Sequence, residues 1–308
     1  MSKRVLITGG AGFIGSHLTR HFANQAEVTV LDDLRSGYER NLQGVACRFI
    51  LGSILDENAL KQAIAGAEEV YHLAAMISVP ESVAKPAECA LLNTEGTRRV
   101  LDAALAAGAR KVVLASSAAI YGDNPTVPKL ESMPPEPKSP YAETKLAGEQ
   151  LLEQFRVTHG VGTASLRFFN VFGPRQDPRS AYAAAVPIFI AKALRDEPIG
   201  IHGDGGQTRD FIHVTDIVGA LAYAGSSVVM SGTYNVGYGR SQSILALAQE
   251  IIRLTGSRSR IEHLPARVGD VRHSLASTER LLSAGWKPQS SVSAGLAETV
   301  DYFRRIKA

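Results

Sequence analysis

Between residues 4 and 32 an apolar run, a glycine-rich turn, a helical stretch and a second apolar run ending in an acid follow one another without a break. Arg4 to Thr8 reads as a strand, Gly9, Gly12 and Gly15 form GxxGxxG, and Ile14 to Asn24 carries apolar residues at helical spacing. Glycines so placed let the chain turn tightly and let its backbone approach a pyrophosphate held at the positive end of the helix. Alone, the glycine set also fits a purely structural turn. The preceding strand, the following helix and Asp32, 20 residues past Gly12 at the end of the next strand, make it a dinucleotide expectation. A carboxylate there accepts hydrogen bonds from both ribose hydroxyls and repels a 2′-phosphate, which favours NAD over NADP. Arg35 is the nearby residue that would rescue a phosphate. For Asp33, Ser36 and Gly37 two readings stand, a solvated loop or backbone contact to the adenosine ribose.

The alternation continues. Glu27 to Leu31, Cys47 to Leu51, Glu69 to Leu73, Lys111 to Ala115 and Thr163 to Phe168 read as strands. Glu57 to Ile64, Asn93 to Ala107 and Tyr141 to His159 between them have helical periodicity. Nearly continuous apolar strands alternating with helices predict an α/β fold with a doubly wound parallel sheet covered on both faces. After Gly173 prolines and the run Gly203 to Gly206 break the pattern, and a smaller C-terminal substrate-binding lobe is expected. The expected division is 1–172 and 173–308, with a return to the first unit around 208–238, where Asp210 to Tyr223 and Thr233 to Val236 look like helix and strand. The proline-rich patch Pro134 to Pro140 reads as a loop ordered near a site.

Thirty-three Lys+Arg against 30 Asp+Glu leave a net charge of +3, which gives no reason to expect nucleic acid or an anionic membrane as partner. No apolar stretch is long enough for a membrane span, and the N-terminus lacks a signal-peptide pattern. The two cysteines, Cys47 and Cys89, have no metal-ligand or disulfide spacing, so no metal is expected and a cytoplasmic location is.

Tyr141 and Lys145, four apart at the start of a helical pattern, share one face. A phenol is a poor base at neutral pH, and lowering its pKa by about three units needs about 4 kcal/mol of differential stabilisation. An adjacent ammonium and a positive nicotinamide favour the phenolate, which gives Lys145 a chemical task. Ser116 and Ser117, at the end of an apolar strand, reach the crevice where such sheets bind ligands, and a hydroxyl there can share a proton with the phenol.

Over nearly its whole length the chain resembles the nucleotide-sugar epimerase and dehydratase branch of the extended short-chain dehydrogenase/reductases. The resemblance rests on TGGAGFIG at 8–15, HLAA at 72–75, SSAAIYG at 116–122, PYAETK at 140–145, LRFFNVFGPRQDP at 166–178, GDGGQTRDFIHV at 203–214 and RVGDVRHS at 267–274. It implies that Ser117, Tyr141 and Lys145 are catalytic. It also implies that Phe13, Ile14, Leu34, Ser53, Ile54, Leu73, Ala74, Ala75, Ser116 and Phe168 join the glycines, Asp32 and the following loop in binding NAD. Where the family has Gly-Asp before an aliphatic residue, this chain has Gly52-Ser53-Ile54, which leaves a shorter, neutral group for the adenine. The resemblance places a UDP-linked sugar against Ser78, Ser117, Ala118, Tyr141, Asn170, Ala185, Val186, Ile201, Arg209, Phe211, Arg267, Asp270 and Ser274. In that scheme Asn170, Arg209 and Arg267 hold the diphosphate, Ile201 and Phe211 line the uracil pocket, and Asp270 binds a ribose hydroxyl. Without it, Arg209 beside Asp210 and Arg267 near Asp270 read as surface ion pairs. Asn93 reads as a helix N-cap or a ligand contact. Arg175 and Gln176 read as substrate contacts or loop braces.

Dehydratases and decarboxylases of this branch carry an acid directly after the catalytic hydroxyl, where this chain has Ala118 and Ala119. Chemistry limited to hydride and proton transfer implies a UDP-sugar 4-epimerase. Ser274, small where enzymes restricted to plain hexoses are bulky, and the run Ser180 to Ala184 suggest that N-acetylhexosamines are accepted, alongside glucose and galactose or the uronates. A nucleotide-sugar reductase and an NAD-binding regulatory protein are the rivals; the intact Ser117, Tyr141 and Lys145 argue against the latter. Family members commonly dimerise through the helices matching Asn93 to Ala107 and Tyr141 to His159, so a homodimer is expected, with Leu146, Leu151, Leu152 and Phe155 as interface or as core.

Overall fold

The computed structural model describes residues 2–178, 184–266 and 271–307. The first half contains β1 (Arg4–Thr8), α1 (Phe13–Phe22), β2 (Glu27–Asp32), β3 (Arg48–Leu51), α2 (Glu57–Ile64), β4 (Glu69–His72), α3 (Val79–Ala84), α4 (Pro86–Ala90), α5 (Gly96–Ala106), β5 (Lys111–Ser117) and α6 (Pro140–His159). There follow β6 (Gly162–Phe168), β7 (Asn170–Phe172), α7 (Ala185–Ala193), β8 (Ile199–His202), β9 (Thr208–His213), α8 (Val214–Ser226) and β10 (Gly232–Val236). The chain ends with β11 (Ser241–Ser243), α9 (Ile244–Thr255), β12 (Ile261–Leu264), α10 (Glu279–Ser283) and α11 (Val292–Lys307).

Seven strands make one sheet in the order β10-β6-β5-β4-β1-β2-β3, every neighbouring pair parallel. This is the doubly wound α/β architecture that the alternation predicts. Successive residues of β1 serve opposite layers, Val5 and Ile7 packing into one apolar cluster and Leu6 into another, as a strand buried on both faces requires. The order reverses between β1 and β4, which opens a crevice beyond their carboxyl ends. A third apolar cluster, with Phe172, Val186, Phe189, Ile201, Phe211, Leu247 and Leu296, lies under the small sheets β11-β9-β7 and β12-β8.

Several predicted boundaries move. β9 takes residues 208–213, including 210–213 at the start of the segment expected to be helical, and the helix begins at Val214. α4 runs into α5 through a π-helical turn at Leu91–Glu95, so Asn93 sits inside one continuous helical stretch and is not its N-cap. β5 extends through Ser117, which puts both serines on the strand itself. Pro140 is the first residue of α6, capped by Ser139, whose hydroxyl accepts from the Ala142 N–H at 3.2 Å. Leu152 and Phe155 are core residues, buried with α5 against the sheet, and are not available as interface.

Candidate active site

The crevice at the strand-order reversal is a cleft open to solvent. Its floor is built by the glycine turn. Gly9 has φ +72°, and a Cβ there would lie 2.7 Å from the Ala74 nitrogen. A Cβ on Gly15 would lie 2.1 Å from the Gly9 carbonyl oxygen, so backbone against backbone leaves room for glycine alone. Gly12 begins α1 with no side-chain cap and no acidic residue in the first turn, which leaves the positive helix end open to the cleft. Asp32 accepts hydrogen bonds from the Ala11 and Leu34 N–H groups, 2.8 Å each. Burial nevertheless raises its carboxyl above the usual carboxylate range.

Gly9, Gly12, Phe13, Ile14, Gly15, Asp32, Asp33 and Ser36 line this cleft together. So do Ser53, Ile54, Leu73, Ala74, Ala75, Ser116, Ser117, Tyr141, Lys145 and Phe168. Three expected cofactor residues do not. Leu34 takes φ +60° and turns the loop. Gly37 packs on the glycine turn, where a Cβ would meet the Ala11 carbonyl carbon at 2.8 Å. Asn93 is buried with its amide spent inside the protein: Oδ1 accepts from the Met76 N–H at 2.7 Å, and Nδ2 donates to the Met76 carbonyl and the Thr144 hydroxyl at 3.0 Å each. It braces the Met76 backbone against α6. The Ser53 hydroxyl accepts from the Leu55 N–H at 3.2 Å and keeps its own proton to donate.

The reacting side chains meet where β5 and α6 cross the cleft wall. The Lys145 ammonium donates to the Ala115 carbonyl at 2.8 Å and lies 5.8 Å from the Tyr141 ring centre. Burial lowers Lys145 to about 8, with Cys89 and Glu149 acting in the opposite sense. Burial also pushes the Tyr141 phenol above its ordinary value, while the Ser117 hydroxyl pulls it down. Burial thus works against the phenolate, the opposite sense to the ammonium and the positive nicotinamide expected to favour it. His72, packed between the hydroxyls of Thr8 at 2.8 Å and Thr97 at 2.9 Å, is held down to about 3 by burial and then by Lys145, so it is a neutral structural residue.

Behind the serines lies a buried polar network that the sequence reading missed. Ser116 donates to Glu149 Oε1 at 2.5 Å. Arg167 grips the same carboxylate through Nε at 2.9 Å and Nη2 at 2.7 Å, and donates to the Tyr121 hydroxyl at 2.9 Å. Tyr121 in turn donates to Asn235 Oδ1 at 2.7 Å, tying α6, β5, β6 and β10 together. Glu149 falls four residues after Lys145 and eight after Tyr141, and that repeat is the signal that could have revealed it.

A second cavity adjoins the first, with Val171 in the wall of both. It gathers Asn170, Ala185, Val186, Ile201, Arg209 and Phe211, and adds Lys192, His202 and Gln207. Phe211 and Ile201 are buried apolar surface, and the Arg209 guanidinium donates to the Thr208 carbonyl at 2.9 Å. Ser274 is half-buried beside β9, its N–H donating to the Thr208 carbonyl at 3.1 Å, and lines neither cavity. Ser78 caps α3 by accepting from the Glu81 N–H at 3.1 Å, and Ala118 packs with Tyr121 and Phe169; both lie outside the two linings. Arg267, Asp270 and positions 180–183 lie outside the described residues. Arg175, with φ +68°, donates to the Ser16 hydroxyl at 3.0 Å and braces its loop against α1. Gln176 lines the first cleft, and its buried Oε1 has no hydrogen-bond partner among the described residues. An open helix end, a glycine floor and an unpaired acceptor fit a dinucleotide.

Comparison with known proteins agrees with that geometry. The model of the NAD dependent epimerase/dehydratase family matches residues 5–237. The chain is 40% identical to a UDP-glucose 4-epimerase of Mycolicibacterium smegmatis, covering 98% of both sequences. It is 34% identical to a UDP-N-acetyl-alpha-D-glucosaminuronate decarboxylase of Bacillus cytotoxicus, covering 100% of this chain and 99% of the other. Among solved structures it matches a UDP-N-acetylglucosamine 4-epimerase from Methanobrevibacter ruminantium, in complex with UDP-N-acetylmuramic acid, with TM-score 0.96, 38% identity and 99% of each chain covered.

Proposed function

Because the chain belongs to the NAD-dependent epimerase/dehydratase family, we propose that it is a UDP-sugar 4-epimerase, inverting carbon 4 through a transient 4-keto sugar with NAD tightly bound throughout. The observation that carries this reading over elimination or decarboxylation is the charge inventory of the cleft. Its described lining holds two carboxylates, Asp32 at the end of β2 and Asp33 directly after it. Ala118 and Ala119 follow the catalytic hydroxyl, and Glu149 is turned away onto Arg167 and Ser116. A site without an acid beside the sugar moves a hydride and a proton and stops there.

NAD, when bound, supplies the acceptor and donor of the carbon 4 hydride and the positive charge that the phenol lacks. Tyr141 removes the 4-hydroxyl proton as the hydride leaves, and Ser117 shares that proton and holds the sugar oxygen. Lys145, fixed on the Ala115 carbonyl, keeps a positive charge near the phenol. Asn170, Arg209 and Arg267 anchor the diphosphate, Ile201 and Phe211 hold the uracil, and Asp270 holds its ribose, while the keto sugar turns over and takes the hydride back on its other face. Sugar deuterated at carbon 4 should therefore keep its label through inversion, without exchange into solvent; label lost to water would count against the mechanism.

For the substrate we favour UDP-N-acetylglucosamine/UDP-N-acetylgalactosamine, with UDP-glucose/UDP-galactose as a second pair. The small side chain at Ser274, by resemblance to the family's substrate position, supports this, as does the acetamido-bearing ligand of the matched structure. Substituting Ser274→Tyr should abolish turnover of acetamido sugars selectively, and equal loss on both sugar types would remove the assignment. The same reading divides the chain into 1–172, with a return at 208–238, for the cofactor and 173–308 mainly for the nucleotide sugar. It makes the protein a cytoplasmic homodimer.

A further inference from the structure

We propose that Glu88 is a cofactor-specificity residue: by holding Arg35 it denies the adenosine end of the cleft the cation that a ribose 2′-phosphate would need. The inference rests on the reading of this cleft as a dinucleotide site with the adenosine ribose at Asp32. Two described side chains in the lining are basic, Arg35 and Lys145. Lys145 stands against β5, three strand spacings from β2, or about 14 Å across the sheet. It is also bound to the Ala115 carbonyl, so Arg35, in the loop that follows Asp32, is the basic side chain of the lining at that end of the cleft.

Arg35 does not point to that carboxylate. Its backbone N–H rests on Asp33 Oδ1 at 3.1 Å, and its side chain crosses to α4, where Nη1 meets Glu88 Oε1 at 2.6 Å. The two residues lie 53 positions apart in sequence, one in the loop after β2 and one on the helix, so the pair is a tertiary feature. Glu88 is also 3.5 Å from the Lys85 ammonium, which leaves it a second partner when Arg35 is drawn away. A 2′-phosphate arriving beside Asp32 meets a carboxylate directly and must take Arg35 from a second one. NAD, with a hydroxyl there, needs neither change. Both partners are partly exposed, so the expected effect is modest, about fivefold in relative affinity.

The test is competition of NADP+ against NAD+ on the full-length protein freed of any dinucleotide it carries, comparing the original chain with Glu88→Gln, Arg35→Ala and the double variant. Glu88→Gln should move the affinity ratio toward NADP+ about fivefold, and the gain should vanish in the double variant. An unchanged ratio in Glu88→Gln overturns the assignment, as does a gain that persists without Arg35, since the effect would then be loss of a negative charge alone. The same titration reads NAD+ itself. Its failure to bind overturns the dinucleotide reading together with this inference, whereas normal NAD+ binding with an unchanged ratio overturns the role of Glu88 alone.

Discussion

At the scale of single residues the account turns on Tyr141 and what surrounds it. Replacing it with phenylalanine removes the proton carrier and leaves the ring in place, so kcat should fall by about 10²–10⁴ with little change in KM. Steady-state kinetics on the two proteins checks this. The pH dependence follows from Lys145, which burial lowers to about 8. A lysine carries its charge below its pKa and loses it above, so turnover should decline as pH rises through about 8. That alkaline limb should disappear from the residual activity of Lys145→Met. The four-residue spacing of Tyr141 and Lys145 was legible in the sequence, as was the serine pair upstream. The electrostatics were not, because the acceptor for the ammonium is the Ala115 carbonyl, 30 residues earlier on β5, and burial opposes the phenolate. Asn93 shows the same limit: an amide at that position looks like a cap or a ligand until Met76 and Thr144 claim it.

At the scale of elements, the glycine turn and the long helix α6 carry the site. Gly15→Ala would put a methyl carbon 2.1 Å from the Gly9 carbonyl oxygen, a backbone atom that cannot move without opening the turn. The variant should purify without dinucleotide in the supernatant after denaturation, if the original chain carries it. α6 is fastened by the buried Glu149–Arg167 pair. Removing one partner leaves a charge stranded, so Glu149→Ala should cost about 3–5 kcal/mol of stability in equilibrium denaturation. Most elements of the sheet were readable because parallel strands buried on both faces are apolar throughout and the helices between them keep their period. The errors fall where tertiary pairing decides: β9 forms beside β7 and β11 from a segment whose period suggests helix, and the π-helical turn at Leu91–Glu95 hides inside a helix. No local pattern announces either.

At the scale of the whole molecule, the second cavity was named residue by residue only through family likeness. β7, α7, β8 and β9 assemble it from pieces separated by prolines and glycines, and periodicity says little there. The outer surface of the helical layer bears on assembly. Val83, Leu91 and Val157 are 61%, 49% and 70% exposed on α3, the turn after α4 and α6, and α6 is one of the two helices through which we propose that the homodimer forms. The protein should sediment as a dimer at micromolar concentration, and a monomer there would remove the homodimer from the account. No helix among the described residues is long and apolar enough to cross a membrane.

The most direct test of the central claim is to incubate the purified protein with UDP-N-acetylglucosamine and, separately, UDP-glucose, without added cofactor, and follow the anomeric proton signals by NMR. The account predicts the galacto epimer, formed with NAD the protein already holds and ranking the two sugars. If neither sugar changes even after NAD is supplied, the 4-epimerase reading is contradicted for both.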